Sequence, residues 1–166
     1  MDEREKNIIS AYLDINISLE ELKKQLEIES IDDYFINKIK DIRQTKDNKG
    51  LKLILRLADR LNAFNKTHTE LLCDLLYSDW HQDYESIVDF LQEIKDPNSV
   101  DVLYDLVINE NFHHLKYDDT YSVERNCIHT IAKIGTEEAI NKLHLISHSN
   151  NQVLSLKAAE VLKNLV

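Results

Sequence analysis

The sequence predicts an all-α protein, a stack of helical hairpins forming an α-solenoid. Three observations carry that expectation. The chain has 166 residues but only two glycines and one proline, too few for the many tight turns of an all-β fold. Its apolar residues recur at helical spacing. A stretch beginning near residue 84 also repeats, apolar on apolar, forty positions later, and a period of that length marks repeat architectures.

The glycine count excludes more than β structure. A dinucleotide fingerprint, a P-loop and a nucleophile elbow each need closely spaced glycines. Gly50 and Gly135 are far apart. Hydrophobic residues at 43% and charged residues at 30% suit a globular chain long enough to bury a core. The net charge of −10, from 30 acids and 20 bases, argues against nucleic acid or an anionic membrane as partner. It is compatible with a basic protein. No apolar run approaches a membrane span; Leu51 to Leu57 is interrupted by Lys52 and Arg56. The charged start, Met-Asp-Glu-Arg-Glu-Lys, lacks the apolar core of a signal peptide, so a cytoplasmic protein is expected. Cys73 and Cys127 sit among apolar residues and read as buried thiols in a reducing compartment.

Along the chain, Ile8, Ile9, Tyr12 and Leu13 form a first helical face. Ser18 and Glu21 make a capping box for a helix through Leu19, Leu22 and Leu26. Ser30 and Asp33 start a third helix carried by Tyr34, Phe35, Ile39 and Ile42. The polar stretch Thr45 to Gly50 is the best internal boundary. Residues 1–48 are therefore expected to be a helical cap or extension, and residues 51–166 the repeat array, together a single compact domain.

Within the array, Ile87, Val88, Leu91 and Ile94 fall on Cys127, Ile128, Ile131 and Ile134. Val100, Leu103 and Leu106 fall on Ile140, Leu143 and Ile146. Asp96-Pro97 in one copy and Gly135-Thr136 in the other break the two apolar halves, as a hairpin turn requires. A looser copy upstream uses Leu53, Ile54, Leu57, Ala58 and Leu61, then Leu71, Leu72, Leu75 and Leu76, with Thr67 or Thr69 as cap. Ala158, Ala159, Leu162 and Leu165 close the chain with half a unit. The array thus holds about three hairpins and a terminal helix.

Val123, Arg125, Cys127, Ile128, Ile131, Ala132, Ile134 and Gly135 follow a first-helix signature close to V-x-R-x-A-A-x-x-L-G-x-I-G. Cys127 and Ile128 replace its alanines. In this the chain resembles HEAT repeats of the bacterial, phycobilin-lyase type, over roughly residues 51–166. The resemblance implies a right-handed solenoid and leaves several functions open: scaffold, lyase subunit, DNA glycosylase or toxin-neutralising immunity protein. Residues 84–106 with the following YDD loop also resemble small bacterial HEAT-repeat proteins encoded near secreted toxins.

No metal site, cofactor or catalytic constellation is expected. His144 and His148 are four apart, but no acid lies between them. Glu110 and His113 make a single ExxH, whereas a bundle di-iron site needs two. His113 and His114 facing Asp118 and Asp119 are the other metal candidates, and the aspartates read more simply as a helix cap. The binding surface is expected on the second helices and the loops between hairpins. It comprises Asp74, Asp79, Trp80, Asp83, Asp101, Tyr104, Asp105, Phe112, Tyr117, Asp118 and Asp119. Aromatics beside carboxylates suit a protein-binding ridge that steers a basic partner. The expected function is a non-enzymatic protein-binding module, in its sharpest form an immunity protein against a basic toxin, acting as a monomer. A regulatory scaffold is the alternative. A HEAT-fold enzyme is the other, and it would need a deep pocket holding a carboxylate of raised pKa.

Overall fold

The computed structural model describes residues 1–109 and 121–165. Among the described residues every regular element is helical. None is long and apolar enough to cross a membrane. The chain divides into two compact units, Met1–Asp83 and Tyr84–Val166.

The first unit contains α1 (Glu3–Leu13), α2 (Leu19–Gln25), α3 (Ile31–Thr45), α4 (Asn48–Leu61) and α5 (Thr69–Leu76), with a 3-10 turn at Lys66–His68. Each of the first four starts at a polar cap: the side chains of Asp2, Ser18, Ser30 and Asp47 accept backbone N–H bonds from the first turn, satisfying donors that have no partner inside the helix. α4 is the centre of this unit. Leu51, Ile54, Leu55, Leu57 and Ala58 are buried, and α1 and α3 both pack against the helix. Each such aliphatic side chain contributes roughly 1.5–3 kcal/mol on burial.

Polar pairs fix directions within the unit. Asn65 donates to Asp32 at 3.1 Å and Arg43 to Asp74 at 2.7 Å. Early residues of α3 thus meet the entry to α5, and late residues of α3 meet α5 itself, so the two run parallel. Glu5 of α1 accepts from Tyr34 at 3.1 Å and pairs with Lys38 at 2.7 Å on α3.

Two local expectations change. The stretch Thr45 to Gly50 is a tight turn: Lys46 adopts the left-handed region at φ 51° and Asp47 caps α4 at once. Gly50 lies inside α4, buried, and helices from both sides of the stretch pack together. The cap ahead of α5 is Asn65, not Thr67 or Thr69, because a 3-10 turn comes first. Thr67 donates its N–H to Asn65 Oδ1 at 2.9 Å.

The second unit contains α6 (Tyr84–Ile94), a 3-10 turn at Pro97–Ser99, α7 (Val100–Ile108), α8 (Ser122–Ile134), α9 (Glu137–Ser147) and α10 (Gln152–Lys163). α8 packs against α6, α7, α9 and α10. Burial follows most of the forty-residue register, although Val100 is buried where Ile140 is half-buried, and Ile94 and Ile134 are half-buried in both copies. Ile87 and Cys127, Val88 and Ile128, Leu91 and Ile131, Leu103 and Leu143, and Leu106 and Ile146 are buried in both copies. The turns correspond too. Lys95 (φ 51°) and Gly135 (φ 67°) occupy the same left-handed position. Asp96 then caps the 3-10 turn and Thr136 caps α9. Pro97 sits in the first turn, where its missing N–H costs nothing.

A polar ladder joins α6 to α8. Ser122 donates to Glu85 at 2.7 Å, Asn126 to Asp89 at 2.8 Å, and Lys133 to Gln92 at 2.6 Å. Residue numbers rise together on both helices, so α6 and α8 are parallel. Ala158 is buried and lets α10 pack closely, whereas Ala159 is exposed.

Candidate functional site

The expected binding residues fall into three groups. Asp74, Asp79, Trp80 and Asp83 belong to the first unit. Asp101, Tyr104 and Asp105 belong to the second. Phe112, Tyr117, Asp118 and Asp119, with Glu110, His113 and His114, lie outside the described residues.

In the first unit Asp74 is engaged internally by Arg43. Asp79 is exposed and Trp80 half-buried, its ring edge-on to His81 at 4.9 Å. The segment from Ser78 to Asp83 is organised by a histidine that sequence reading passes over. His81 is 2% exposed. Its Nδ1 accepts from the Asp83 N–H at 3.2 Å, which leaves Nε2 to carry the proton and donate to the Leu75 carbonyl at 3.0 Å. Burial pushes the His81 pKa down, against the Leu75 carbonyl and Asp83. Burial pushes the Asp83 carboxyl up, against Lys52 and His81, and its Oδ2 has no hydrogen-bond partner among the described residues. Tyr84, which follows this segment at the start of the next helix, is buried.

The second unit brings its three residues onto one face. Asp101, Tyr104, Asp105 and Ile108 succeed each other at helical spacing along α7. Beside them α9 presents Lys142 and Leu145. Lys142 Nζ is 2.6 Å from Asp101 Oδ1 and 4.4 Å from the Tyr104 ring centre. The hydrogen bond to Asp101 holds this ammonium above its usual range, outweighing burial, with help from the Asp101 charge, Tyr104 and Glu138. Asp105 is exposed and in no ion pair among the described residues.

Next to these charges lies a groove of about 400 Å³. Tyr104, Val107, Ile108, Leu145 and Leu154 line it, with residues 149–151 at one end. Its lining is mixed, aliphatic side chains beside the polar residues 149–151, and two of its large apolar side chains are open to solvent: Leu145 is 56% exposed and Ile108 39%. The Ser149 hydroxyl has no hydrogen-bond partner among the described residues. A larger depression of about 570 Å³ in the first unit is lined by charged and polar side chains such as Arg4, Glu20 and Lys24. None of its lining residues is a large aliphatic or aromatic side chain.

Sequence reading picked neither Lys142 nor Leu145. A signal for Leu145 was present. The buried positions of α9 are Ala139, Leu143 and Ile146, so Leu145 is a large apolar residue off the core stripe. Lys142 carried no such signal, because its partners lie on another helix.

The histidine pair stays a backbone feature. His148 caps α9, with Nδ1 2.8 Å from the His144 carbonyl. Among the described residues no group of three or more His, Cys, Asp or Glu is placed to hold a metal ion. Both Cys73 and Cys127 are buried. Comparison with protein-family models, with curated proteins and with solved structures finds no match to this chain.

Proposed function

We propose that this protein is a non-enzymatic protein-binding module, a HEAT-like α-solenoid whose second unit receives a basic protein partner. In its sharpest form it is a cytoplasmic immunity protein that neutralises a cognate toxin. The observation that carries the reading is the pair of exposed large apolar side chains, Ile108 and Leu145, in a groove beside the carboxylates of Asp101 and Asp105. Large side chains exposed beside a charged rim suit recognition of another protein surface. The net charge of −10 favours a basic partner and disfavours nucleic acid. The repeat architecture draws support from the parallel pairing of α3 with α5 and of α6 with α8, and from the shared burial register of the two copies.

The test is co-expression with the products of neighbouring genes, followed by co-purification. The expected result is a stoichiometric complex with a basic protein. A toxin would arrest growth when expressed alone and not with this chain. Asp101→Lys, Asp105→Lys and Leu145→Glu together should abolish the complex while circular dichroism stays unchanged. A complex that survives all three changes overturns the reading.

A further inference from the structure

We propose that Asp101 and Tyr104 form a cation-receiving box, which Lys142 fills in the unbound protein and a lysine or arginine of the partner fills in the complex. This deepens the protein-binding reading above and rests on it. The box has the two elements that recognise a cation: a carboxylate at hydrogen-bond distance and an aromatic face within about 6 Å. Lys142 satisfies both, at 2.6 Å and 4.4 Å.

The resident ammonium is exchangeable. The Asp101 side chain is 67% exposed, and an ion pair open to water is weak. Arginine is the stronger occupant, since its planar guanidinium can stack on the ring and bond the carboxylate with two N–H groups at once. One turn further along α7, Asp105 has no ion-pair partner among the described residues and can take a second base. Tyr104 is shared, because it also lines the groove that continues to the exposed side chains of Ile108 and Leu145. Asp101 and Ile108 are about 10 Å apart along the helix axis. The occupant is therefore a basic amphipathic segment, with a cation for the box and, two turns on, an apolar side chain for the groove.

The probes are a short leucine–arginine peptide patterned as an amphipathic helix and its leucine–glutamate counterpart. Binding is followed by calorimetry and by methyl NMR of Ile108 and Leu145. The leucine–arginine peptide should shift both methyl signals, and its counterpart should not. Lys142→Met keeps the aliphatic stem and removes the competing charge. It should tighten binding about fivefold, the scale of a modest cation–π contact. Lys163→Met makes the same charge change at the exposed last residue of α10 and should leave affinity near wild type. If Lys142→Met lowers the melting temperature, Lys142→Gln carries the comparison. Equal affinities for wild type and the Lys142 variants, or equal tightening by Lys163→Met, overturn the box while the groove reading survives. If neither peptide shifts the Ile108 and Leu145 signals, both fall.

Discussion

Lys6 and Asp47 meet at 3.0 Å where α1 and α4 begin side by side. The same carboxylate accepts the Gly50 N–H at 3.0 Å and lies 3.4 Å from the N-terminal ammonium. One side chain thus caps α4 and anchors the start of the chain. Burial tends to raise the Asp47 pKa. The Gly50 N–H, Lys6 and the N-terminus together outweigh it and hold the group below its usual range. Asp47→Ala should cost about 1 kcal/mol through the lost cap. Asp47→Asn should cost less, because asparagine caps as well as aspartate. Urea titrations at neutral pH measure both. A carboxylate with a lowered folded pKa stabilises above its unfolded pKa, and that contribution fades as pH falls through the folded value. The gap between wild type and Asp47→Asn should therefore close in acid.

Gly50 is required by a close approach, not by its backbone angle. A Cβ there would stand 2.6 Å from Asp47 Oδ2, an atom already pinned by Lys6 and the N-terminal ammonium. Gly50→Ala should destabilise, although alanine is the better helix former. In an Asp47→Ala background the obstacle is gone, and the same change should stabilise by about 0.5–1 kcal/mol. The sign reversal in a double-mutant cycle is the readout.

Positions 95 and 135 should respond in opposite directions. Both are left-handed, at φ 51° and 67°, but one is lysine and the other glycine. Gly135→Ala has room for its Cβ, with the Ala132 carbonyl 3.5 Å away. Its cost is the backbone strain of an L-residue, about 1 kcal/mol. Lys95→Gly should gain up to about 1 kcal/mol from relief of the same strain. Thermal or urea unfolding of the two variants tests the pair.

His81 should make the first unit acid-sensitive. Its folded pKa is lowered by burial, so the neutral ring is favoured and stability is full above the usual histidine value. It declines as pH falls below about 6.5 toward the folded pKa. A proton on Nδ1 would also face the Asp83 N–H that it now accepts. His81→Asn should lower stability at about pH 7.5 and flatten its slope between about pH 5 and 7, windows set by the histidine range. An unchanged slope would show that the ring does not couple to folding.

Leu143 and Leu145 are two residues apart on α9 and should behave differently. Leu143 is fully buried, and Leu143→Ala should cost about 2–5 kcal/mol. Leu145→Ala removes a half-solvated side chain and should change stability by less than about 0.5 kcal/mol. Chemical denaturation separates the two. A stable Leu145 variant that loses the partner would assign this side chain to recognition.

Much of the helical content was legible because apolar spacing and caps are local. Ser18 and Ser30 cap as their sequence contexts predict, and the forty-residue register returns as a register of burial. The Asn65 cap was missed because a single 3-10 turn shifts the helix start. Lys142 beside Asp101 and Tyr104, Arg43 on Asp74, and the buried state of His81 were not legible. Each depends on residues or carbonyls brought close by packing or by a loop's path, and no periodicity encodes that.

The sequence by itself determined that this protein is helical, where several of its helices start and stop and which faces are apolar, since the 3.6-residue period and glycine scarcity act within a few residues. Only the tertiary structure decided which carboxylates remain available and where apolar surface stays open. Asp74 is taken by Arg43, Asp105 has no such partner among the described residues, and Leu145 stands outside the core. Those outcomes depend on which helix packs beside which, and charge and burial become definite only when that neighbour is in place.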